Sequence, residues 1–289
     1  MPRFCYLNGK LVSEKTAKVS VLDRGLLLGE GLFETMRAYN GQVFGIGRHL
    51  RRLQRGAEAL GLRLPSATQL RTATSELLEA NKLLRARVRM TVTSGPGGPG
   101  IIAPPDVEPT VVILAHPIEI PSDRIYRHGM RGVILPIRKF ASAPLVGIKS
   151  ISYGENLAGR RIAAEAGADE GIFLNHLGDL CEGTASNVFL YRYGELLTPD
   201  LESGCLPGIT REVVLEVAPS EGLKVRETAV SPIDLAQAEE AFLTSSTREL
   251  MPLVEIDGLP IGSGIPGPIA ARIHDAYRSV VIAECGSAD

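Results

Sequence analysis

The chain has 289 residues, a formal net charge of −2 at pH 7 and 22% charged residues. This nearly neutral balance gives no electrostatic basis for binding nucleic acid or an anionic membrane surface. Tryptophan is absent and aromatic residues make up only 5%, which argues against a base-stacking surface. Hydrophobic residues, at 44%, are ample for a core, so we expect a globular protein of one large domain or two ordinary ones.

The cysteines and the apolar runs indicate the cellular compartment and whether the chain spans a membrane. The 4 cysteines are widely spaced and form no C-x-x-C pair, so neither a disulfide framework nor a metal cluster is predicted. The sequence contains no run of 18 apolar residues and no signal-peptide pattern at its start. We therefore expect a cytoplasmic protein that does not span a membrane.

The first part of the chain mixes hairpins with helices. Alternation predicts strands over 4–12 around Asn8-Gly9, 33–39 before Asn40-Gly41, 87–93 and 110–115, with a turn at Asp23-Arg24-Gly25. Apolar residues at helical spacing predict helices over 47–61 and 70–81. A domain junction is expected just after the last of these strands, within 117–123.

The second part continues the mixture. The pattern predicts strands over 132–137, 171–175, 187–191, 224–229 and 241–245, and helices over 155–168 and 208–218, after Ser231-Pro232 and from Pro268. Hairpin signals are as frequent as βαβ signals. An α+β fold therefore fits better than a doubly wound sheet.

The segment L-V-G-I-K-S-I-S-Y-G-E-N, residues 145–156, holds the first candidate for chemistry. Its lysine, Lys149, is flanked by the apolar residues Val146, Ile148 and Ile151. Apolar surroundings favour the neutral amine, which is the form that makes Schiff bases. The alternative is a lysine at a strand end that extends its ammonium into water.

Three further stretches carry polar groups that could bind a cofactor. Gly208-Ile209-Thr210 starts a helix, where backbone N–H groups can bind a phosphate, although a plain helix start explains it equally. Residues 244–247 form a hydroxyl cluster after a buried strand, which is also typical of an ordinary loop. Glu182 precedes a buried strand, where a carboxylate needs a partner unless it is solvated.

Two other patterns are set aside. The loop G-P-G-G-P-G, residues 95–100, lacks the Lys-Ser/Thr ending of a phosphate-binding loop, and its prolines remove N–H donors. His49 and His116 have no partner at ligand spacing, so no metal site is predicted.

Together these pieces resemble the class IV, or fold-type IV, pyridoxal-phosphate enzymes. The family comprises branched-chain aminotransferases, D-amino-acid aminotransferases and aminodeoxychorismate lyases. The resemblance extends from L-N-G-K at Leu7 to M-P-L-V-E-I-D-G at Met251. Several motifs in one order are more specific than any single motif.

The resemblance implies a role for each matched residue. It makes Lys149 the lysine that forms a Schiff base with pyridoxal 5'-phosphate (PLP) and moves the substrate's proton. It implies that the other cofactor contacts are the phosphate-binding Arg52, Tyr153 at the phenolic oxygen, Glu182 at the pyridine nitrogen, Leu206 on the ring face, and Ile209, Thr210, Ser245 and Ser246 at the phosphate. These roles agree with the chemistry expected from the residues themselves.

The family fold implies a small N-terminal α/β domain over 1–118, a loop over 119–124 and a larger C-terminal domain over 125–289. PLP is expected in the cleft between the domains. A homodimer is also implied, with the partner subunit helping to close the substrate pocket.

The motifs leave the choice of substrate open. G-E-G-L-F-E-T, the 95–100 loop and L-V-G-I-K-S-I-S are most similar to the lyases, and Thr35 matches a lyase threonine that assists proton transfer. However, Pro99 and Ile101 replace the lyase arginine and tyrosine, so a dicarboxylate-like substrate would lack its arginine. D-amino-acid enzymes have a tyrosine where this chain has Phe33.

Branched-chain enzymes have a tyrosine where this chain has Leu28, but their arginines are matched by Arg37 and Arg89. With Arg87, these arginines are the candidates for binding the substrate carboxylate beside Phe33. We therefore expect a transaminase that acts on an amino acid or amine and a keto acid. The alternatives are a 4-amino-4-deoxychorismate lyase, which releases pyruvate, and a PLP-binding regulator or carrier without turnover.

Overall fold

A computed structural model describes residues 3–118 and 123–288 and divides them into two compact units. The first unit contains residues 3–118, 148–152 and 281–288, and the second contains 123–147 and 153–280. The predicted domains, 1–118 and 125–289, remain a prediction. Residues 119–122, most of the predicted loop over 119–124, lie outside the described residues.

The first unit is an antiparallel sheet with helices packed on it. Its strands are β1 (Phe4–Leu7), β2 (Lys10–Ser13), β3 (Gly31–Tyr39), β4 (Gln42–Val43), β5 (Ala86–Thr93) and β6 (Thr110–Pro117). Its helices are α1 (Arg24–Leu28), α2 (Ile46–Leu60) and α3 (Ala67–Ala80). Within the described residues the strand order is β2-β1-β6-β5-β3-β4. The predicted hairpin over 4–12, the three further strands and both helices of this part of the chain are confirmed.

Helix α2 shows why the apolar spacing was informative. Leu50, Leu53 and Ala57 are buried in one core with Leu32 and Met36 of β3. The helix ends where Gly61 adopts a left-handed conformation with φ of 66°. Its length and position follow from one apolar stripe and one glycine.

The predicted turn at Asp23-Arg24-Gly25 is wrong, because these residues start a helix. Helix α1 begins there, because the Asp23 side chain accepts a hydrogen bond from the backbone N–H of Gly25 at 2.8 Å and caps the helix.

The elements from residue 123 onward form a second, mixed sheet with helices. In chain order they are α4 (Asp123–His128), β7 (Met130–Lys139), α5 (Gly154–Glu165), β8 (Glu170–Asn175), β9 (Leu180–Gly183), β10 (Asn187–Arg192), β11 (Glu195–Pro199), α6 (Ile209–Val217), β12 (Lys224–Thr228), α7 (Pro232–Ala236), β13 (Glu240–Ser245), β14 (Glu249–Ile256), β15 (Leu259–Pro260) and α8 (Pro268–Cys285). Among the described residues the strand order is β12-β11-β10-β13-β14-β7-β8-β9, with β15 beside β14. The pairs β11/β12, β14/β7 and β7/β8 are parallel.

The predicted α+β class is confirmed, with corrections of detail. The sequence does not predict β9, β11 or β14. Helix α5 ends at Glu165 rather than at residue 168, because the chain turns at Gly167, whose φ is 71°. Nowhere in the described ranges is a helix both long and apolar enough to cross a membrane.

Candidate active site

The backbone around Lys149 pairs with strand β3 of the first unit. The N–H of Phe33 donates to the Lys149 carbonyl at 2.9 Å, and the N–H of Ile151 donates to the Gly31 carbonyl at 3.0 Å. A Cβ on Gly31 would lie 2.9 Å from the Cδ1 atom of Ile151 and 2.7 Å from the carbonyl oxygen of Val92 in β5, so glycine allows close approach on both sides. The pairing fixes the backbone of Lys149 beside that of Phe33.

The ring of Phe33 has two cations near it. The Lys149 Nζ atom lies 4.7 Å from the ring centroid, and the Arg89 Cζ atom lies 3.9 Å from it. Phe33 is buried, whereas Lys149 and Arg89 are half-buried. Both distances are in the range of cation–π attraction. The predicted Schiff-base lysine and one predicted carboxylate-binding arginine therefore lie at the same ring.

The other predicted substrate residues lie on the strands that carry Phe33 and Arg89. Thr35 is paired in register with Arg89, and Arg37 with Arg87. Arg37 is buried, and its Cζ atom lies 4.5 Å from the ring centroid of Tyr39. Arg87 is exposed. Of the three candidate arginines, Arg89 lies at the ring that Lys149 contacts.

A buried ionic network lies on the opposite face of β3. The Glu34 carboxylate accepts hydrogen bonds from Arg52 Nε at 2.8 Å and from Arg52 Nη2 at 2.6 Å. His49 Nδ1 lies 2.7 Å from Glu34 Oε2. All three side chains are at least nine-tenths buried. The predicted phosphate-binding arginine is thus held by an acid.

The charges in this network are set by burial and by its members. Burial on its own would raise the pKa of Glu34, but Arg52 and His49 outweigh that effect and hold the pKa at about 2. Burial lowers the pKa of His49 below its ordinary value, although Glu34 opposes the shift. At neutral pH the carboxylate is therefore ionised and the imidazole is neutral.

Glu34 was not predicted as a site residue, and His49 was considered only as a metal ligand. The sequence does contain a signal for Glu34. Side chains alternate along a strand, so Glu34 lies on the same face of β3 as the apolar residues Leu32, Met36 and Ala38. On that core face an acid needs a partner. His49 and Arg52, three residues apart on α2, lie on one helix face.

In the second unit, Glu182 is connected to the turn before α6. Its Oε2 accepts a hydrogen bond from the backbone N–H of Leu206 at 2.9 Å. The Leu206 carbonyl accepts a hydrogen bond from Asn187 Nδ2 at 2.8 Å. A Cβ on Gly208 would lie 2.0 Å from Asn187 Oδ1, so a larger residue there would displace the Asn187 side chain that bonds Leu206. Glu182 and Leu206, two predicted cofactor residues, are brought together by this turn.

Helix α6 begins with two further predicted cofactor residues. Ile209 and Thr210 are both buried at its first turn, and the preceding N-cap residue is Gly208, which has no side chain to cap the helix. The amide N–H groups of a first helical turn, together with a threonine hydroxyl, are the donors that a phosphate accepts from.

A cavity of about 230 Å³ lies within the second unit. Tyr153 and Ser245, both predicted cofactor residues, line it together with Thr184, Ser186 and Thr247, which the sequence analysis did not single out. The Tyr153 hydroxyl donates to the Thr184 carbonyl at 3.1 Å. Ser246 is half-buried and adjoins these residues in the chain. Five hydroxyl-bearing side chains thus line the cavity beside apolar ones such as Leu157 and Met251.

The loop over 95–100 is organised by Arg24. The buried Arg24 guanidinium donates to the carbonyls of Gly98 at 3.3 Å and Ile101 at 2.9 Å, and also to the Gly100 carbonyl and the Glu30 carboxylate. The carbonyl oxygens of this loop are directed at a cation. It is therefore a fixed loop, and its rejection as a phosphate loop is consistent with this arrangement.

The remaining reactive groups add no other chemistry. Cys5, Cys181, Cys205 and Cys285 are free and buried. Burial raises the pKa of the Cys205 thiol to about 11, so it remains protonated and unreactive. Among the described residues, no group of three or more His, Cys, Asp or Glu side chains could hold a metal ion.

Comparison with known proteins identifies the family. The sequence model of Amino-transferase class IV matches residues 31–256. The putative branched-chain-amino-acid aminotransferase of Methanocaldococcus jannaschii is 35% identical over 277 residues, covering 95% of each chain. The D-alanine aminotransferase of Bacillus licheniformis is 31% identical over 278 residues, covering 96% of each.

A solved structure agrees with these sequence relatives. The T.th. branched-chain amino acid aminotransferase with pyridoxamine 5'-phosphate superposes with a TM-score of 0.91 at 28% identity, covering 100% of this chain and 96% of that one. The chain belongs to the class IV aminotransferases, a family of PLP-dependent transaminases. The predicted family, enzyme class and cofactor are confirmed, and the interpretation as a non-enzymatic carrier is not favoured.

The residues present fit PLP. The first turn of α6 has amide and hydroxyl groups of the kind that bind a phosphate, the Glu182 carboxylate is an acceptor suited to a protonated ring nitrogen, and Lys149 has the amine that a Schiff base requires.

Proposed function

We propose that this transaminase holds PLP through the residues that the family motifs match. The proposed contacts are Lys149, Arg52, Tyr153, Glu182, Leu206, Ile209, Thr210, Ser245 and Ser246. The assignment is supported by the guanidinium of Arg52, the carboxylate of Glu182, the amide and hydroxyl donors at the first turn of α6, and the hydroxyl groups of Tyr153 and Ser245.

The catalytic roles follow from the chemistry of the side chains. Bound PLP supplies an electron-withdrawing ring that stabilises negative charge at the substrate's α-carbon. Lys149 acts as the base that takes the α-proton and returns it at the neighbouring carbon, with Thr35 assisting. Glu182 keeps a proton on the ring nitrogen. Arg52 neutralises charge on the phosphate.

We propose that the substrates are an amino acid and a 2-oxo acid whose carboxylate binds Arg89. One observation carries this proposal: Arg89 and Lys149 both lie at the ring of Phe33, at 3.9 and 4.7 Å from its centroid. A group that binds a carboxylate is therefore close to the amine that reacts at the adjacent carbon. Arginine suits a carboxylate because its planar guanidinium can make two parallel bonds.

The test is the visible absorbance of the PLP-loaded protein during the donor half-reaction. The donor panel includes L-leucine and D-alanine, since relatives are named for both kinds of donor, and 1-phenylethylamine, which has no carboxylate. Arg89→Met is expected to weaken the apparent affinity for the preferred amino acid about 10- to 100-fold, because a charge-assisted bond is lost. The rate with 1-phenylethylamine should stay unchanged.

The matched control is Arg87→Met, which removes an exposed arginine two residues away on the same strand. It should leave both donors unaffected. Equal losses with the amino acid and the amine in Arg89→Met would contradict the carboxylate role. Pyruvate released from 4-amino-4-deoxychorismate without any amino acceptor would instead favour the lyase alternative.

We propose that the protein is a homodimer. Ile101 and Ile102, in the loop held by Arg24, are 86% and 87% exposed, and Leu26 of α1 is 69% exposed. Such apolar exposure on one unit is typical of an interface.

The double substitution of Ile101→Glu and Ile102→Glu is expected to shift the mass in light scattering from two chains to one. The same mass as the wild type would contradict the proposal; Leu177→Glu, at an equally apolar exposed site, is the control.

We also propose that the enzyme works in the cytoplasm. The four free thiols suit a reducing compartment.

A further inference from the structure

We propose that Glu34 is a positioning residue that orients Arg52 toward the phosphate of the cofactor. The inference deepens the proposed function and rests on Arg52 being the phosphate-binding arginine. Its basis is the network of Glu34, His49 and Arg52, which lies on the core face of β3 rather than on the face that carries Phe33.

Two hydrogen bonds define the orientation of Arg52. Its Nε and Nη2 atoms donate to different oxygens of the Glu34 carboxylate, at 2.8 and 2.6 Å. A bidentate pair of this kind fixes the plane of the guanidinium as well as its position. An unrestrained arginine side chain loses rotamer entropy when it binds a ligand. Glu34 removes most of that freedom before any ligand arrives.

Glu34 is itself held in place from its other side. His49 Nδ1 lies 2.7 Å from Glu34 Oε2, and the neutral imidazole donates a hydrogen bond from its Nδ1–H to the carboxylate. His49 and Arg52 project from successive turns of α2, so one helix presents both partners to one strand residue. Lys149 also acts electrostatically on His49, which connects the network to the proposed catalytic amine.

Orientation, rather than added attraction, is what Glu34 contributes to phosphate binding. An anion next to an arginine lowers the attraction of that arginine for a phosphate. A site that relied on charge alone would be better without Glu34. A site in which the direction of the guanidinium limits binding benefits from it, because the donors then match the phosphate oxygens without further ordering.

The experiment compares the apoprotein's affinities for PLP and for pyridoxal, which lacks the phosphate. Both are followed by the absorbance of the bound ligand. Glu34→Gln and Glu34→Asp are each expected to weaken PLP binding about 10- to 100-fold, as loss of a hydrogen bond to a charged group does. Pyridoxal binding should change less than about 2-fold. Glu34→Asp keeps the charge with the carboxylate drawn back, so it carries the test if Glu34→Gln does not fold.

Two further variants separate failure of this inference from failure of the proposed function. Arg52→Gln should lose the preference for PLP over pyridoxal, and adding Glu34→Gln to it should cause no further loss, because the two residues act as a unit. Glu58→Gln, an exposed acid on the same helix, should behave as the wild type.

The outcomes are distinct. An unchanged PLP-to-pyridoxal ratio in Arg52→Gln would overturn the phosphate role of Arg52 and with it the inference. A changed ratio in Arg52→Gln, together with equal effects on the two ligands in both Glu34 variants, would overturn the positioning role alone. In that second case Glu34 would only stabilise the fold, which the melting temperature of the apoprotein would report.

Discussion

Replacing Lys149 with alanine is expected to lower kcat by at least about 10²- to 10⁴-fold, the range that a positioned proton-transfer group contributes. The visible absorbance of the PLP-loaded protein should also be lost, since no other lysine is proposed to bond to the cofactor. The variant should still fold. The pairing of this segment with β3 uses the backbone N–H of Phe33 and the Lys149 carbonyl, neither of which changes. The cation–π contact with Phe33 contributes only about 0.5–2 kcal/mol.

Lys224→Ala is the matched control, because the Lys224 side chain is 69% exposed and pairs with Glu195 in the second unit. It should retain the wild-type rate and spectrum. Added methylamine should restore part of the lost rate in Lys149→Ala if the missing group is an amine base. Near-normal turnover in Lys149→Ala, with circular dichroism like that of the wild type, would disprove the assigned mechanism.

The sequence predicted those elements that are determined by residues close together in the chain. Helix α2 needed only an apolar stripe, Leu50, Leu53 and Ala57, and the stop at Gly61. The first hairpin needed only Asn8-Gly9, both of which adopt positive φ. In each case the residues that determine the structure lie within one turn or one helix of each other.

Strand β14 was missed because its sequence carries a proline. A proline normally indicates an edge strand or no strand, since it cannot donate a ladder hydrogen bond. Pro252 nevertheless lies in a central strand, opposite Phe242 of β13. On its other side β14 pairs with β7, and that pairing begins only at Leu253. Pro252, which has no N–H to donate, therefore lies just outside the hydrogen-bonded part of β14 and β7. This depends on strand register, which the local sequence does not contain.

The residues of the candidate site also fall into those that local motifs predict and those that depend on tertiary contacts. Motif order identified Lys149 and Glu182 as candidates, because those residues are embedded in recognisable segments. The buried partners of Arg52 were not identified, although the sequence shows that Glu34 is on a core face. Choosing His49 and Arg52 as its partners requires knowing that α2 packs on β3, a tertiary contact. Likewise, the pairing of Lys149 with Phe33 joins distant segments and has no local signal.

Glu182→Gln is expected to lower kcat by about 10²- to 10³-fold, comparable to removing a preorganised electrostatic group from an active site. The substitution separates charge from structure. The Gln side-chain oxygen can still accept the hydrogen bond that the Leu206 N–H donates to Glu182 at 2.9 Å, so the turn before α6 should keep its shape. What is lost is the negative charge proposed to keep a proton on the ring nitrogen. The measurement is the single-turnover rate with the preferred donor, beside the dissociation constant for PLP.

The two readouts discriminate between the possible roles of this carboxylate. If Glu182 acts on the ring nitrogen, Glu182→Gln should slow the chemical step far more than it weakens PLP binding. If it only supports the turn, Glu182→Gln should resemble the wild type, whereas Glu182→Ala, which removes the acceptor, should weaken PLP binding. Glu165→Gln, at an exposed position of α5, should change neither quantity. A rate within a few-fold of the wild type in Glu182→Gln would mean that the proton on the ring is held by something other than this charge.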